Sequence, residues 1–140
     1  MDDELYNEII MDHYLLSPHK KDMKDFTYCS LGVNPSCGDE ITLKVKMNGD
    51  KIEDVNFTGK GCAISLSSAS IMIDLIKGKN INEALELLEK FINMINEKNY
   101  DNIEILGDAL AFKNISNMPA RMKCANLAYN TLKKILKEEK

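Results

Sequence analysis

Four cysteines are the residues of this sequence with the clearest potential for chemistry. They are Cys29, Cys37, Cys62 and Cys124, and no two of them have the C-x-x-C spacing of a zinc finger or a thioredoxin-type motif. Spacing alone leaves three interpretations open: buried apolar residues, disulfides, or ligands that converge on a metal or sulfur-handling site. Disulfides are disfavoured, because the acidic start Met-Asp-Asp-Glu argues against a signal peptide and favours a cytoplasmic protein.

A β-hairpin is predicted between the second and third cysteines. Residues 40–47 alternate strictly between polar and apolar side chains, as in a half-buried strand. Asn48-Gly49 follows and is typical of a tight hairpin turn. The return strand is predicted over residues 51–58, with one break in alternation near Glu53-Asp54 where we expect a β-bulge. Residues 26–31 are predicted to add a third strand.

The ends of this hairpin are expected to bring Cys37, Asp39 and Cys62 together. Cys37 and Asp39 precede the first strand, and Cys62 follows the return strand. Because hairpin strands are antiparallel, the start of one lies beside the end of the other. The flanking residues Gly38, Gly59 and Gly61 supply backbone freedom there. Thiols at glycine-flanked turns of a rigid hairpin are more typical of ligands than of core residues.

Cys124 lies early in a last helix that we predict from Pro119 to Lys137. Arg121, the sole arginine of the chain, is one helical turn before it. Positive charge and a helix N-terminus both favour a thiolate, the nucleophilic and metal-binding form of cysteine. A surface arginine beside a core cysteine is equally consistent with the sequence, because Cys124 shares a helical face with apolar residues. Both interpretations stay open at this point.

The remaining chain is predicted to be mainly helical. Helices are expected over residues 3–16, 65–77 and 81–96, and residues 97–118 are expected to be irregular with one short helical turn near Leu110. In the first helix, the apolar residues Leu5, Ile9 and Leu16 fall on one face, which is flanked by Tyr6, Ile10 and Tyr14. The sequence thus predicts an α+β fold, with a small antiparallel three-stranded sheet packed against helices, in a single domain over residues 1–140.

Composition excludes several classes of function. The 140 residues are 44% hydrophobic and 29% charged, with a formal net charge of −4, which is typical of a globular protein. An acidic chain without a basic block is a poor candidate for nucleic-acid binding. No apolar run approaches 18 residues, so we expect no membrane span.

Four fragments of the sequence resemble the NifU/IscU family of iron–sulfur cluster assembly proteins, nearly from end to end. In order, they are Met11-Asp12-His13-Tyr14 with Pro18, Asn34-Pro35-Ser36-Cys37-Gly38-Asp39, Gly59-Lys60-Gly61-Cys62-Ala63-Ile64-Ser65 with Ser68-Ala69-Ser70, and Pro119-Ala120-Arg121-Met122-Lys123-Cys124-Ala125. Each fragment alone is modest, but four in this order with these gaps are highly specific. The resemblance implies the SufU/IscU-like fold.

Two features resemble the SufU branch of this family. The cluster-scaffold branch typically carries a histidine directly before the last cysteine, whereas this chain has Lys123. The stretch from about Asn99 to Met118, which includes Leu106-Gly107-Asp108, is similar to an insertion of the SufU branch. The resemblance therefore implies zinc-dependent sulfur transfer more than cluster building.

The resemblance also implies roles for individual residues. Cys37, Asp39, Cys62 and Cys124 are implied to be the metal ligands, with Cys124 also the sulfur acceptor and Arg121 in a supporting role. The implied cofactor is zinc, or alternatively iron or a [2Fe–2S] cluster, since the same ligands suit both. Cys29 matches no ligand position of the family, and is either an additional thiol near the site or part of a strand.

The implied function is that of a sulfur relay rather than a stand-alone enzyme. SufU-type proteins accept persulfide sulfur from a SufS-like cysteine desulfurase and pass it to the SufBCD-type assembly complex. The alternative is a scaffold on which a [2Fe–2S] cluster is assembled and transferred, with iron–sulfur apoproteins as recipients. A third and less favoured hypothesis is a binding module with a purely structural zinc.

Overall fold

The computed structural model describes residues 3–139 and shows an α+β fold, as predicted. The elements in chain order are α1 (Asp3–Leu16), β1 (Tyr28–Asn34), β2 (Asp39–Asn48), β3 (Lys51–Lys60), α2 (Ala63–Ile76), α3 (Ile81–Glu97), a 3₁₀ segment (Ile103–Asn117) and α4 (Pro119–Glu139). The hairpin and all four α-helices lie close to their predicted bounds.

The three strands form one antiparallel sheet in the order β1-β2-β3. The predicted bulge is confirmed, because Lys46 pairs with Asp54 while Met47 pairs with Ile52, which leaves Glu53 as the extra residue. The third strand was expected over residues 26–31, but β1 begins at Tyr28 and continues to Asn34. This shift matters for the site, since Asn34 becomes the cross-strand partner of Asp39.

One face of the sheet packs against helices and forms the core. The inward residues Ile41, Leu43 and Val45 of β2 are fully buried, as their alternation predicts. On β1 the inward position next to Ile41 is Gly32, where an added Cβ would collide with Thr131 Oγ1 of α4. The absence of a side chain at Gly32 thus lets α4 approach the edge of the sheet closely.

Helices α2 and α3 begin at different kinds of N-cap residue. Asn80 caps α3 with a complete capping box, in which its side chain accepts the Glu83 N–H at 2.8 Å and the Glu83 carboxylate accepts the Asn80 N–H. Helix α2 begins at Ala63 rather than at residue 65, so that Cys62 is its N-cap. No helix within residues 3–139 is long and apolar enough to cross a bilayer.

The buried face of α1 differs from the one predicted. Leu5 and Leu16 are 43% and 78% exposed, whereas Ile10 is buried and Ile9 is half-buried. The helix is oriented by polar contacts as well as by burial, because the His13 Nδ1 lies 2.8 Å from Ser70 Oγ of α2. The predicted face was therefore wrong at Leu5 and Leu16, whereas Ile9 and the flanking Tyr6 and Ile10 pack against the core.

The prediction of an irregular stretch over residues 97–118 was also wrong in part. Residues Ile103–Asn117 are 3₁₀-helical, with a kink at Gly107, whose φ of 54° favours glycine. Five of the seven buried residues of this segment recur every third position, namely Ile103, Leu106, Ala109, Phe112 and Ile115. This is the repeat of a 3₁₀ helix, with three residues per turn, and not the 3.6-residue period that identifies an α-helix.

Candidate metal centre

Three groups with metal-binding atoms converge at the end of the sheet beside α4. Ligand atoms of Cys37, Asp39 and Cys124 all lie within 4.8 Å of one another. The Cys37 and Cys124 sulfurs are 3.2 Å apart. Two thiolates on one tetrahedral zinc, each about 2.3 Å from the metal, lie about 3.8 Å apart, so small side-chain rotations would fit this pair to a metal.

A four-residue turn between β1 and β2 positions Cys37. The Asn34 carbonyl accepts the Cys37 N–H at 3.3 Å, and the Pro35 carbonyl accepts the Gly38 N–H at the same distance. Gly38 has a φ of 70°, a left-handed conformation that side chains other than glycine rarely adopt. The turn leaves Cys37 half-buried at the surface of the site, while Asp39 enters the interior.

Asp39 is fully buried, and both of its carboxylate oxygens accept hydrogen bonds. The Cys62 backbone N–H donates to Oδ1 at 2.9 Å, and the Asn34 side-chain amide donates to Oδ2 at 3.1 Å. Burial alone would raise the pKa of this carboxyl group. The donors, which also include the Cys124 thiol and the Ser65 hydroxyl, outweigh burial and hold the Asp39 pKa below its usual value.

Cys62 lies next to these three residues, but its sulfur is not one of the mutually close ligand atoms. As N-cap of α2 it joins the site through its backbone N–H to Asp39, and its Sγ lies 3.8 Å from Ser65 Oγ. The Cys62 thiol is still close enough to Cys124 to raise the pKa of the Cys124 thiol. The structure thus brings three of the four expected ligands together, with the fourth adjacent.

Cys124 is fully buried near the start of α4. Burial raises the pKa of its thiol, and hydrogen bonding with the Cys37 and Cys62 thiols raises it further. This direction is opposite to the one expected from Arg121 and the helix N-terminus. Of the two interpretations left open by the sequence, the structure supports a core cysteine, and it also brings the Cys124 sulfur into the cluster.

Arg121 lies at the surface rather than inside the cluster. Arg121 is exposed, and it forms no salt bridge with any of the described residues. A depression beside the site is lined by Ser36, Cys37, Pro119, Ala120, Arg121 and Lys123. Two cationic side chains therefore border the accessible side of Cys37, while Cys124 lies beneath it.

Cys29 is separate from the cluster. It is exposed on β1 opposite Lys44, whereas the site lies at the Asn34–Asp39 pair. Five residues of extended strand span about 17 Å, so the Cys29 thiol is remote from the other three. Of its two interpretations, the structure supports a strand residue.

Asn34 is a buried residue of the site to which the sequence assigned no role. Its side-chain amide contacts Asp39 and also lies 3.6 Å from the Cys124 sulfur. The available signals were its place just before the Cys37 turn and its membership of the family-like fragment Asn34–Asp39, and neither gives an uncharged amide a role in the site.

Comparison with known families identifies this architecture. The family model for the NifU-like N terminal domain matches residues 5–125. The chain belongs to this family. Its relatives include a protein of Bacillus subtilis named zinc-dependent sulfurtransferase SufU, 44% identical over 98% of this chain and 93% of the relative. Another, from Streptococcus pyogenes, is named iron–sulfur cluster assembly scaffold protein IscU and is 38% identical over 95% of this chain and 83% of the relative.

Solved structures agree with this membership. A protein from Fervidobacterium islandicum, described as an iron–sulfur cluster assembly scaffold protein for the SUF system, superposes with a TM-score of 0.89 at 38% identity. The superposition covers 97% of this chain and 99% of that one. The predicted membership of the NifU/IscU family and the SufU/IscU-like fold are thereby confirmed.

Proposed function

We propose that this protein is a SufU-type sulfur-transfer component of iron–sulfur cluster assembly. It would bind zinc, accept persulfide sulfur from a SufS-like cysteine desulfurase and deliver it to a SufBCD-type complex. The observation that carries the proposal is the convergence of Cys37, Asp39 and Cys124 within 4.8 Å at a buried end of the sheet. The 44% identity to a relative named zinc-dependent sulfurtransferase supports the same function.

The donor set fits zinc. Cys37, Cys124 and Asp39 offer two sulfurs and one carboxylate oxygen. The adjacent Cys62, whose backbone N–H donates to Asp39, is the proposed fourth ligand. Three thiolates and a carboxylate together would carry four negative charges in a buried place. When bound there, zinc supplies the positive charge that keeps the thiolates deprotonated at neutral pH.

The sulfur-transfer step is thiol–persulfide exchange. A cysteine thiolate of this chain attacks the outer sulfur of the desulfurase persulfide, a new S–S bond forms on this chain, and the bond within the persulfide breaks. The electron pair of the broken bond leaves with the desulfurase thiolate. Neither oxidant nor reductant is consumed.

Burial bears on which cysteine accepts the sulfur. The family resemblance implies Cys124, but this residue is fully buried, whereas Cys37 is half-buried and borders the surface depression. An incoming persulfide would therefore meet Cys37 first, with the Cys124 sulfur 3.2 Å behind it. We propose that the two sulfurs act as one acceptor pair, with Arg121 attracting the anionic persulfide and leaving thiolate.

A [2Fe–2S] scaffold is the second candidate function. Relatives from Streptococcus pyogenes and Thermotoga maritima, both named scaffold protein IscU, are 38% identical to this chain, and thiolates are also the ligands of such clusters. Against this candidate stands Lys123, at the position where the resemblance implies a histidine in scaffold proteins.

Native mass spectrometry of protein purified without oxygen separates these candidates. One zinc per chain without sulfide is expected for the transfer protein. Two irons with two sulfides would instead establish the scaffold.

Persulfide transfer from a SufS-like desulfurase then tests the acceptor pair. Cys37→Ser and Cys124→Ser are each expected to abolish stable sulfur uptake. Cys29→Ser is the matched control, because Cys29 is exposed and lies outside the cluster. Full uptake by both single variants would refute the assigned pair, and loss in only one would identify a sole acceptor.

A further inference from the structure

Asn34 joins two of the expected metal ligands through a single nitrogen. Its side-chain Nδ2 lies 3.1 Å from Asp39 Oδ2 and 3.6 Å from Cys124 Sγ. The residue is 4% exposed, so water does not compete for these contacts. An amide nitrogen carries two hydrogens, and it can therefore donate one to each partner at the same time.

The orientation of this amide follows from its neighbours. Both partners are acceptors in their metal-binding forms, a carboxylate and a thiolate. Rotating the Asn34 amide by half a turn would place its carbonyl oxygen against Asp39 Oδ2, with no hydrogen between two acceptors. The nitrogen must therefore face the two ligands.

The fold places Asn34 there by two independent constraints. Asn34 and Asp39 are cross-strand partners across the Cys37 turn, so their side chains project from the same face of the sheet. Gly32, two residues earlier on that face, lets α4 and thus Cys124 approach β1. A side chain at position 34 can consequently reach a β2 ligand and an α4 ligand together.

We propose that Asn34 is the positioning residue of the metal centre, an outer-shell donor that fixes Asp39 and Cys124 relative to each other. The proposal rests on the proposed function, since it assumes that these residues bind a metal. The Asn34 amide remains compatible with ligation, because a carboxylate and a thiolate each keep further lone pairs for a metal. Outer-shell partners of this kind typically change metal affinity by about 10- to 100-fold when they are removed.

The test compares Asn34→Leu, which removes the donor at similar volume, with Asn56→Leu. Asn56 is the matched control, because it is 5% exposed on β3 opposite Lys44, four residues from the end of the sheet that holds the site. Asn34→Ser, which keeps one smaller donor, is measured in parallel. Affinity for zinc is obtained by competition with a chromophoric chelator, and bound Co²⁺ reports on the sulfurs through its thiolate-to-metal absorption band.

We expect Asn34→Leu to bind zinc at least about tenfold more weakly than the wild type, with Asn34→Ser between them and Asn56→Leu unchanged. Loss of an N–H···S bond raises the energy of the sulfur electrons, so the Co²⁺ band should move to longer wavelength in the position-34 variants. If every folded position-34 variant matches Asn56→Leu in affinity and band position, the amide has only a structural role and the proposal is overturned. A wild-type protein that shows no thiolate band with Co²⁺ would instead refute the metal centre itself.

Discussion

Gly61 lies beside the carboxylate of Asp39. A Cβ at this position would lie 2.6 Å from Asp39 Oδ1 and 2.5 Å from Ser65 Oγ, closer than side-chain carbons approach other atoms. The Asp39 oxygen in question is the one that accepts the Cys62 N–H. At the scale of single residues, the site thus depends on an absent side chain as much as on its ligands.

Gly61→Ala should therefore disturb the metal centre directly. The added methyl group must push the Asp39 carboxylate away from Cys62, and we expect zinc affinity to fall about tenfold, as for loss of an outer-shell contact. Crowding should also lower the free energy of unfolding by about 1–3 kcal/mol. Competition with a chelator and urea denaturation measure the two effects.

Gly78→Ala is the control for this substitution. Gly78 has a φ of 84° with nothing within 4 Å of its would-be Cβ, so alanine there strains the backbone far from the site. It should cost stability and leave zinc affinity unchanged. Wild-type zinc affinity in Gly61→Ala would show that the position of the Asp39 carboxylate does not matter for binding.

A second effect at the residue scale concerns Tyr129, a fully buried residue of α4. Its ring stacks on Phe91 with centroids 3.7 Å apart, but its hydroxyl has no hydrogen-bond partner among the described residues. Burial also raises the pKa of this phenol. Because an unsatisfied buried hydroxyl costs about 1–3 kcal/mol, Tyr129→Phe should leave stability unchanged or raise it by about 1 kcal/mol in chemical denaturation.

Tyr100→Phe is the matched comparison for Tyr129→Phe. The Tyr100 hydroxyl lies 2.8 Å from Ser116 Oγ, so its removal should cost about 0.5–1.5 kcal/mol. A clear loss of stability in Tyr129→Phe would mean that the buried hydroxyl has a partner after all, such as an ordered water molecule.

At the scale of elements, the sequence predicted best what alternates or repeats with a familiar period. Strict alternation over residues 40–47 identified β2, and one break in alternation located the bulge. The 3₁₀ segment was missed because most of its buried residues recur every third position. The ends of the hairpin strands were enough to predict that Cys37, Asp39 and Cys62 lie near one another. The position of the Cys62 thiol and the contacts of Asn34 depend on packing between elements, which no local sequence pattern reveals.

Contacts between elements hold α1 to the rest of the fold. Apolar burial on α1 is sparse, and polar contacts to α2 supplement it. His19 Nε2 lies 2.6 Å from Asp74 Oδ1, and Ser17 Oγ lies 2.6 Å from Ser70 Oγ. The His19 carbonyl also accepts the Phe57 N–H of β3 at 3.0 Å. The segment that follows α1 therefore links it to both α2 and the sheet.

His19→Ala should loosen α1 without unfolding the protein. The substitution removes the contact with Asp74, whose side chain is 54% exposed, so solvent screening limits the cost to about 0.5–1 kcal/mol. Native-state hydrogen exchange should become faster in α1 and stay unchanged in α3. Lys60→Ala, which breaks an exposed ion pair with Glu40 at 3.9 Å, should change neither helix. Equal acceleration in α1 and α3 would indicate a global effect and contradict a local attachment.

At the scale of the whole molecule, the site lies where three parts of the chain meet. The β1–β2 turn and the first residue of β2 supply Cys37 and Asp39, the start of α2 supplies Cys62, and the start of α4 supplies Cys124. The apolar core does not depend on the site residues. It consists of aliphatic and aromatic side chains that strands β2 and β3 and helices α2, α3 and α4 bury against one another. A metal at the site would therefore connect elements that already pack together without it.

Removal of metal should consequently weaken the fold without abolishing it. A 140-residue chain can bury roughly two-thirds of its unfolded surface, which suffices for a stable core, whereas a structural zinc domain unfolds on chelation. We expect a chelator to lower Tm while far-UV circular dichroism and cooperative unfolding persist. Zinc at a free concentration of 100 times its Kd should restore roughly 2.7 kcal/mol of stability.

The double variant Cys37→Ser/Cys124→Ser is the control, because it lacks the acceptor pair and its Tm should not respond to the chelator. Loss of the helical signal on chelation of the wild-type protein would favour the third hypothesis, a binding module with a purely structural zinc, over sulfur transfer.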